Sequence, residues 1–130
     1  MPAIDTNILI RFLVRDDEEQ FQKVRTLFEE YHESPLKINL PVIMESCWVL
    51  TTTYGYSKMK FIETFRMLLD TQGFEVQLDR VIQKALDEFE ETNAGFEDCL
   101  ISELNNASKD DPTYTFDKKA SKLKGMKLLR

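Results

Sequence analysis

The chain has 130 residues, 42% of them hydrophobic, with two cysteines and the single histidine His32. That suits one domain over residues 1–130 and argues against the common zinc centres and a nucleophile that leans on a histidine base. Seventeen basic against 23 acidic residues give a net charge of −6, which argues against coating nucleic acid or an acidic membrane through overall charge.

Pro2-Ala3-Ile4 predicts a first strand, and Ile8, Leu9, Phe12 and Leu13 then recur at helical spacing. Phe21, Val24, Leu27, Phe28 and Tyr31 do the same, predicting a second helix over 17–31 that Ser34-Pro35 breaks. Leu36, Ile38 and Leu40 alternate as a strand, and Pro41 opens a helix over 41–53. A fourth helix is expected over 58–71, ending before Gly73, with a strand from Phe74 to Leu78. Asp79 is expected to cap a fifth helix whose buried stripe is Val81, Ile82, Leu86 and Phe89. After the turn Asn93-Ala94-Gly95, a sixth helix runs from Phe96 to Ser108 and stops at Asp110-Asp111-Pro112. A strand over Thr113 to Phe116, a helical turn over 118–123 and a strand from Met126 to Leu129 complete the chain.

Strands separated by helices predict an α/β fold, a mostly parallel sheet covered on both faces. Cys47 and Cys99 lie among apolar neighbours without CxxC spacing and read as reduced core residues. No segment reaches the ~20 apolar residues of a membrane span, and Arg11, the first basic residue, follows Asp5. A soluble cytoplasmic protein is expected. The tail is basic: residues 118–130 hold Lys118, Lys119, Lys122, Lys124, Lys127 and Arg130 and no acid. Such asymmetry fits cation binding in one part and polyanion contact in another, with a solvated basic tail as the plainer alternative.

In open parallel sheets, ligands bind beyond the carboxyl ends of the strands, so acids there matter most. Asp5 follows the first strand, Asp117 follows the strand over Thr113 to Phe116, and Asp98 falls in the first turn of the sixth helix. Helix capping and the helix dipole would account for each of these alone. Glu45 differs, because the positions three and four away are Pro41, Val42, Trp48 and Val49. It is expected to project from a buried apolar stripe, satisfied either by a salt bridge to Arg66 or Lys58 or by a bound cation. Carboxylates gathered without histidine or thiol select a hard cation, Mg²⁺ or Mn²⁺, which suits attack of water on a phosphodiester. Arg11, Arg15, Lys58, Lys60 and the tail could hold the phosphate backbone.

These residues resemble a known family. Asp5-Thr6-Asn7-Ile8-Leu9, Pro41-Val42-Ile43-Met44-Glu45, Phe96-Glu97-Asp98-Cys99-Leu100-Ile101 and Thr115-Phe116-Asp117 stand in the order of PIN-domain motifs. More narrowly, the chain resembles the VapC-type toxins of prokaryotic toxin–antitoxin pairs, from the first strand to Gly125-Met126-Lys127-Leu128-Leu129. The resemblance implies a three-layer sandwich with a mostly parallel central sheet flanked by helices. It implies a metal-dependent endoribonuclease, often a homodimer, held inactive by a cognate antitoxin. Carried over residue by residue, it makes Asp5, Glu45, Asp98 and Asp117 the catalytic, metal-binding acids. Asn7 and Thr115 become the groups that orient carboxylates or water. Lys118, Lys119, Lys122, Lys124 and Arg11 are the expected RNA contacts.

Other classes fit less well. A receiver-like phosphoacceptor domain wants paired acids after its first strand and a phosphoacceptor Asp after its middle strand, but no Asp lies between Asp17 and Asp70. A DxD-type phosphatase needs an acid where Asn7 stands. A catalytically silent PIN-fold RNA-binding or regulatory module remains the alternative within the same fold.

Overall fold

The structure is a computed structural model and describes residues 1–106 and 111–130. The chain divides into two compact units, Met1–Gln77 and Leu78–Arg130.

In the first unit, residues 2–4 run beside β1 (Leu36–Ile38), which pairs in parallel with β2 (Phe74–Val76). The Lys37 amide donates to the Pro2 carbonyl at 2.8 Å, and the Ile4 amide donates to the Lys37 carbonyl at 3.0 Å. Leu36, Lys37 and Ile38 stand in register with Phe74, Glu75 and Val76. Leu36 and Ile38 are buried whereas Lys37 is exposed, as a period of two requires. The helices of this unit are α1 (Thr6–Val14), α2 (Glu18–Glu30), α3 (Leu40–Trp48) and α4 (Lys58–Asp70). Asp17 caps α2 through the Gln20 amide at 3.0 Å, and Ser57 caps α4 through the Lys60 amide at 3.2 Å.

Leu9, Ile10, Leu36, Ile38, Ile43, Leu50, Phe61, Ile62 and Phe65 form the unit's core. Beside it the Phe12 ring stacks with Phe21 and Phe28 and meets Phe74 edge-on. Gly73 makes this packing possible. Its φ of +101° is one that side chains rarely adopt, and a β-carbon there would collide with the Phe28 ring.

The second unit packs α5 (Asp79–Glu91) against α6 (Phe96–Asn105), with Phe89 edge-on to Phe96 at 5.9 Å. Ile82, Ala85, Leu86, Cys99, Leu100, Ala120 and Leu123 are buried there. β3 (Thr113–Thr115) pairs in parallel with β4 (Met126–Leu128), placing Thr113, Tyr114 and Thr115 beside Met126, Lys127 and Leu128. A 3₁₀ turn, Ala120–Lys122, connects them. The buried Ser102 hydroxyl donates to the Lys124 carbonyl at 2.9 Å and ties α6 to the approach of β4.

Among the described residues, six α-helices and parallel strand pairs bear out the α/β expectation. Cys47 and Cys99 are buried thiols, as expected of core residues. Two local details differ. The helix expected over 41–53 is α-helical only to Trp48 and then widens into a π-helical turn, Val49–Thr53. There the Thr51 hydroxyl donates to the Cys47 carbonyl and that of Thr52 to the Trp48 carbonyl, competing with the regular backbone ladder. Asp79 does not cap α5: the cap position is Leu78, in the left-handed region with φ 56°, and Asp79 is the first helical residue. Its carboxylate accepts from the Arg80 amide at 2.8 Å instead. The expectations for Ser108 and Asp110 lie outside the described residues.

Candidate active site

In the second unit, Asp98 sits on the first turn of α6 and Asp117 follows β3. The N-cap of α6 is Gly95, which offers no capping side chain, and Asp98 Oδ2 reaches back to 3.8 Å from where a side chain at Gly95 would begin. Partial burial raises the Asp98 pKa, and the nearby charge of Asp117 raises it further. The structure thus brings these two carboxylates together and leaves them repelling each other. Asp117 itself is held in place. Its Oδ1 accepts from the Ala120 amide at 3.0 Å, and its own amide donates to the Thr115 hydroxyl at 3.0 Å. Thr115 therefore fixes the backbone from which the carboxylate projects.

In the first unit, Asp5 caps α1, its Oδ1 accepting from the Ile8 amide at 3.1 Å. Capping and metal binding are compatible, since capping occupies one carboxylate oxygen, fixes the rotamer and leaves Oδ2 for another partner. Asp5 and Asn7 line a cleft of about 370 Å³ that also includes Arg11, Gln20 and Lys23 over an apolar wall of Ile8, Val24 and Leu27. Arg11 is drawn into internal bonds: Nε donates to Gln20, and Nη1 donates to Asp16 at 3.2 Å and to the Tyr54 hydroxyl at 3.1 Å.

Glu45 on α3 is exposed, which corrects the expectation of a buried carboxylate. Pro41 and Trp48, one turn to either side, are exposed as well, Trp48 by 59%. The face of α3 that packs inward carries Ile43, Ser46 and Cys47, and the buried Ser46 hydroxyl has no hydrogen-bond partner among the described residues. Among those residues Glu45 makes no ion pair.

Among the described residues no group of three or more His, Cys, Asp or Glu side chains is gathered to hold a metal ion. The donor types nonetheless suit a hard divalent cation, since the candidate ligands are all carboxylates and Asp98 and Asp117 carry a repulsion that such an ion would relieve. Lys118, Lys119, Lys122 and Lys124 are all exposed and follow Asp117 directly in the chain.

A second acidic pair is not legible in the sequence. Burial first, then a hydrogen bond with Glu103 and the charges of Glu103 and Glu91, push the Glu88 carboxyl up to about 7. A folded-state pKa above the ordinary 4.5 means that stability is fully present below about 4.5 and is lost as pH rises through about 7. Glu88→Gln, which keeps the shape and cannot ionise, should therefore melt about 2–5 °C higher than the parent at pH 8 and near the parent at pH 4. Thermal melts at the two pH values check this.

A model of the PIN domain matches residues 3–126, across both units. The chain is similar to a VapC ribonuclease of Aquifex aeolicus (strain VF5), 29% identical over 104 residues that cover 78% of this chain and 76% of the relative. No solved structure matches it. Among the described residues, no helix is long and apolar enough to cross a membrane.

Proposed function

This chain belongs to the PIN-domain family, and from that premise we propose that it is a divalent-metal-dependent endoribonuclease, the toxin of a toxin–antitoxin pair. The observation that carries the reading is the Asp98–Asp117 pair, two mutually repelling carboxylates with Asp117 fixed by Thr115 and Ala120. Asp5, Glu45, Asp98 and Asp117 would hold Mg²⁺ or Mn²⁺, with Asn7 and Thr115 orienting carboxylates or water. When bound, such an ion polarises a phosphoryl oxygen and lowers the pKa of a coordinated water. The carboxylates would hold the cation against which the reacting phosphate sits, and Lys118, Lys119, Lys122 and Lys124 would hold neighbouring phosphates against the negative charge of the acids. Water adds to phosphorus and the 3′ oxygen leaves, so the products carry 5′-phosphate and 3′-hydroxyl ends. Residues 1–130 work as one nuclease domain, as a cytoplasmic homodimer restrained by its cognate antitoxin.

The test is cleavage of RNA by the purified chain. Cleavage is expected with Mg²⁺ or Mn²⁺, with 5′-phosphate products, and should stop in chelator. Cutting that persists in chelator overturns the metal, and binding without cutting under any divalent ion leaves a silent RNA-binding module. The lysines carry a separate expectation. Replacing Lys118, Lys119, Lys122 and Lys124 with glutamine should lower the slope of log affinity against log salt by about 0.7 for each single-strand phosphate they neutralise, without changing which bond is cut. An unchanged slope returns these lysines to a solvated surface.

A further inference from the structure

Along β3 and the residue after it, exposure alternates. Thr113 and Thr115 are half-buried, whereas Tyr114 is 58% exposed and Phe116 is 79% exposed. Tyr114 lies on β3 and Phe116 in the bend directly after it, so two exposed rings stand two residues apart in the chain. Tyr114 is in register with Lys127 of β4. The Leu129 amide donates to the Thr115 carbonyl at 2.8 Å and closes the ladder at the Thr115–Leu128 pair, just before Phe116. The exposed Asp117, Lys118 and Lys119 follow immediately. One exposed aromatic is ordinary on a protein surface. Two within three residues, bordered by lysines and leading into a proposed catalytic carboxylate, form a surface suited to a polyanion with flat, apolar bases.

We propose that Phe116 and Tyr114 are a stacking platform for unpaired bases of the RNA beside the phosphate that Asp117 helps to cut. The placement next to the reaction rests on the nuclease reading above; the binding does not. Adjacent unpaired nucleotides can splay their bases onto two aromatic rings on a strand, which a base-paired duplex cannot do. The lysines favour this occupant over a second copy of the chain. A two-fold contact across the face would set Lys127 and the neighbouring lysines of one copy against the same residues of the other.

The experiment uses a single-stranded oligoribonucleotide carrying 2-aminopurine, bound to the full chain in chelator so that nothing is cut. The parent should quench the 2-aminopurine fluorescence. Phe116→Leu should lose the quench and bind about tenfold or more weakly, with the salt slope unchanged because no charge is altered. Phe116→Tyr should restore both affinity and quench, and a duplex of the same sequence should not distinguish parent from Phe116→Leu. With metal added, the loss should fall on KM more than on kcat. Circular dichroism melts establish that each variant is folded, and Tyr114→Leu with the same readouts replaces Phe116→Leu if that protein does not fold. Equal affinity and quench in parent and leucine variant overturn the platform. So does a sedimentation shift to a smaller species on Phe116→Leu with RNA binding unchanged, which assigns the face to a second copy. Quenching that depends on Phe116 in a protein that fails to cut RNA under every divalent ion tried sinks the nuclease reading alone, and cleavage indifferent to both aromatic residues sinks the platform alone.

Discussion

Asp98→Asn is expected to lower RNA cleavage by at least about a hundredfold while raising the melting temperature measured in chelator. The first effect follows from the proposed role, because replacing even an outer partner of a metal site costs about 10- to 100-fold and a ligand should cost more. The second follows from the fold. Partial burial and the charge of Asp117 raise the Asp98 pKa, so its ionised form is disfavoured in the folded chain. A carboxyl with a raised folded-state pKa contributes stability that is present below its ordinary pKa of 3.8 and lost as pH rises through the folded value. Asparagine keeps the shape, removes the charge and relieves Asp117, so the metal-free variant should melt higher. Added Mn²⁺ should raise the melting temperature of the parent more than that of the variant, since a ligand stabilises only the fold that binds it. Melts of both proteins in chelator and across a Mn²⁺ series test this. A variant that melts lower in chelator would make Asp98 a structural residue.

Asp5, Asp98 and Asp117 are legible in the sequence because each stands at an element junction marked by local chemistry: the end of an apolar run, a helix start or a turn. The structure keeps them at those junctions, with Asp5 and Asp117 capping and Asp98 on a first turn. The exposure of Glu45 is not legible, for a definable reason. Periodicity groups Pro41, Glu45 and Trp48 on one face of α3 but does not say which face points inward, and the inward face carries a polar Ser46 that dilutes its apolar signal. The π-helical turn is not legible either, because three successive threonines at 51–53 are compatible with an ordinary helix until the hydroxyls of Thr51 and Thr52 find carbonyls one turn back. Glu88 and Glu103 lie on different helices, and only the packing of α5 on α6 makes them partners. Tyr114 and Phe116 read as ordinary strand residues, since a short apolar run does not reveal which side of a strand is left open.

The exposure of Glu45 changes what its removal should do. A buried, unpaired glutamate would carry a desolvation penalty, and glutamine at that position would raise the melting temperature in chelator as asparagine should at position 98. On the exposed face of α3, with no ion pair among the described residues, there is no such penalty to relieve. Glu45→Gln should therefore melt within about 2 °C of the parent in chelator, as surface substitutions do. Its activity should nonetheless fall by at least about a hundredfold, because the amide cannot supply the charge that a hard cation requires. The metal response separates the two properties. A tenfold weaker ion affinity removes about 1.4 kcal/mol of the stabilisation at a saturating concentration, so the Mn²⁺-induced rise in melting temperature should be smaller than in the parent. Full retention of that rise together with full activity would take Glu45 out of the metal site. A melting temperature well below the parent's in chelator would mean that Glu45 is held by a partner in the fold. Asp98→Asn and Glu45→Gln should thus both be inactive yet differ in chelator, one melting higher and one unchanged, because one carboxylate is partly buried against a like charge and the other faces solvent.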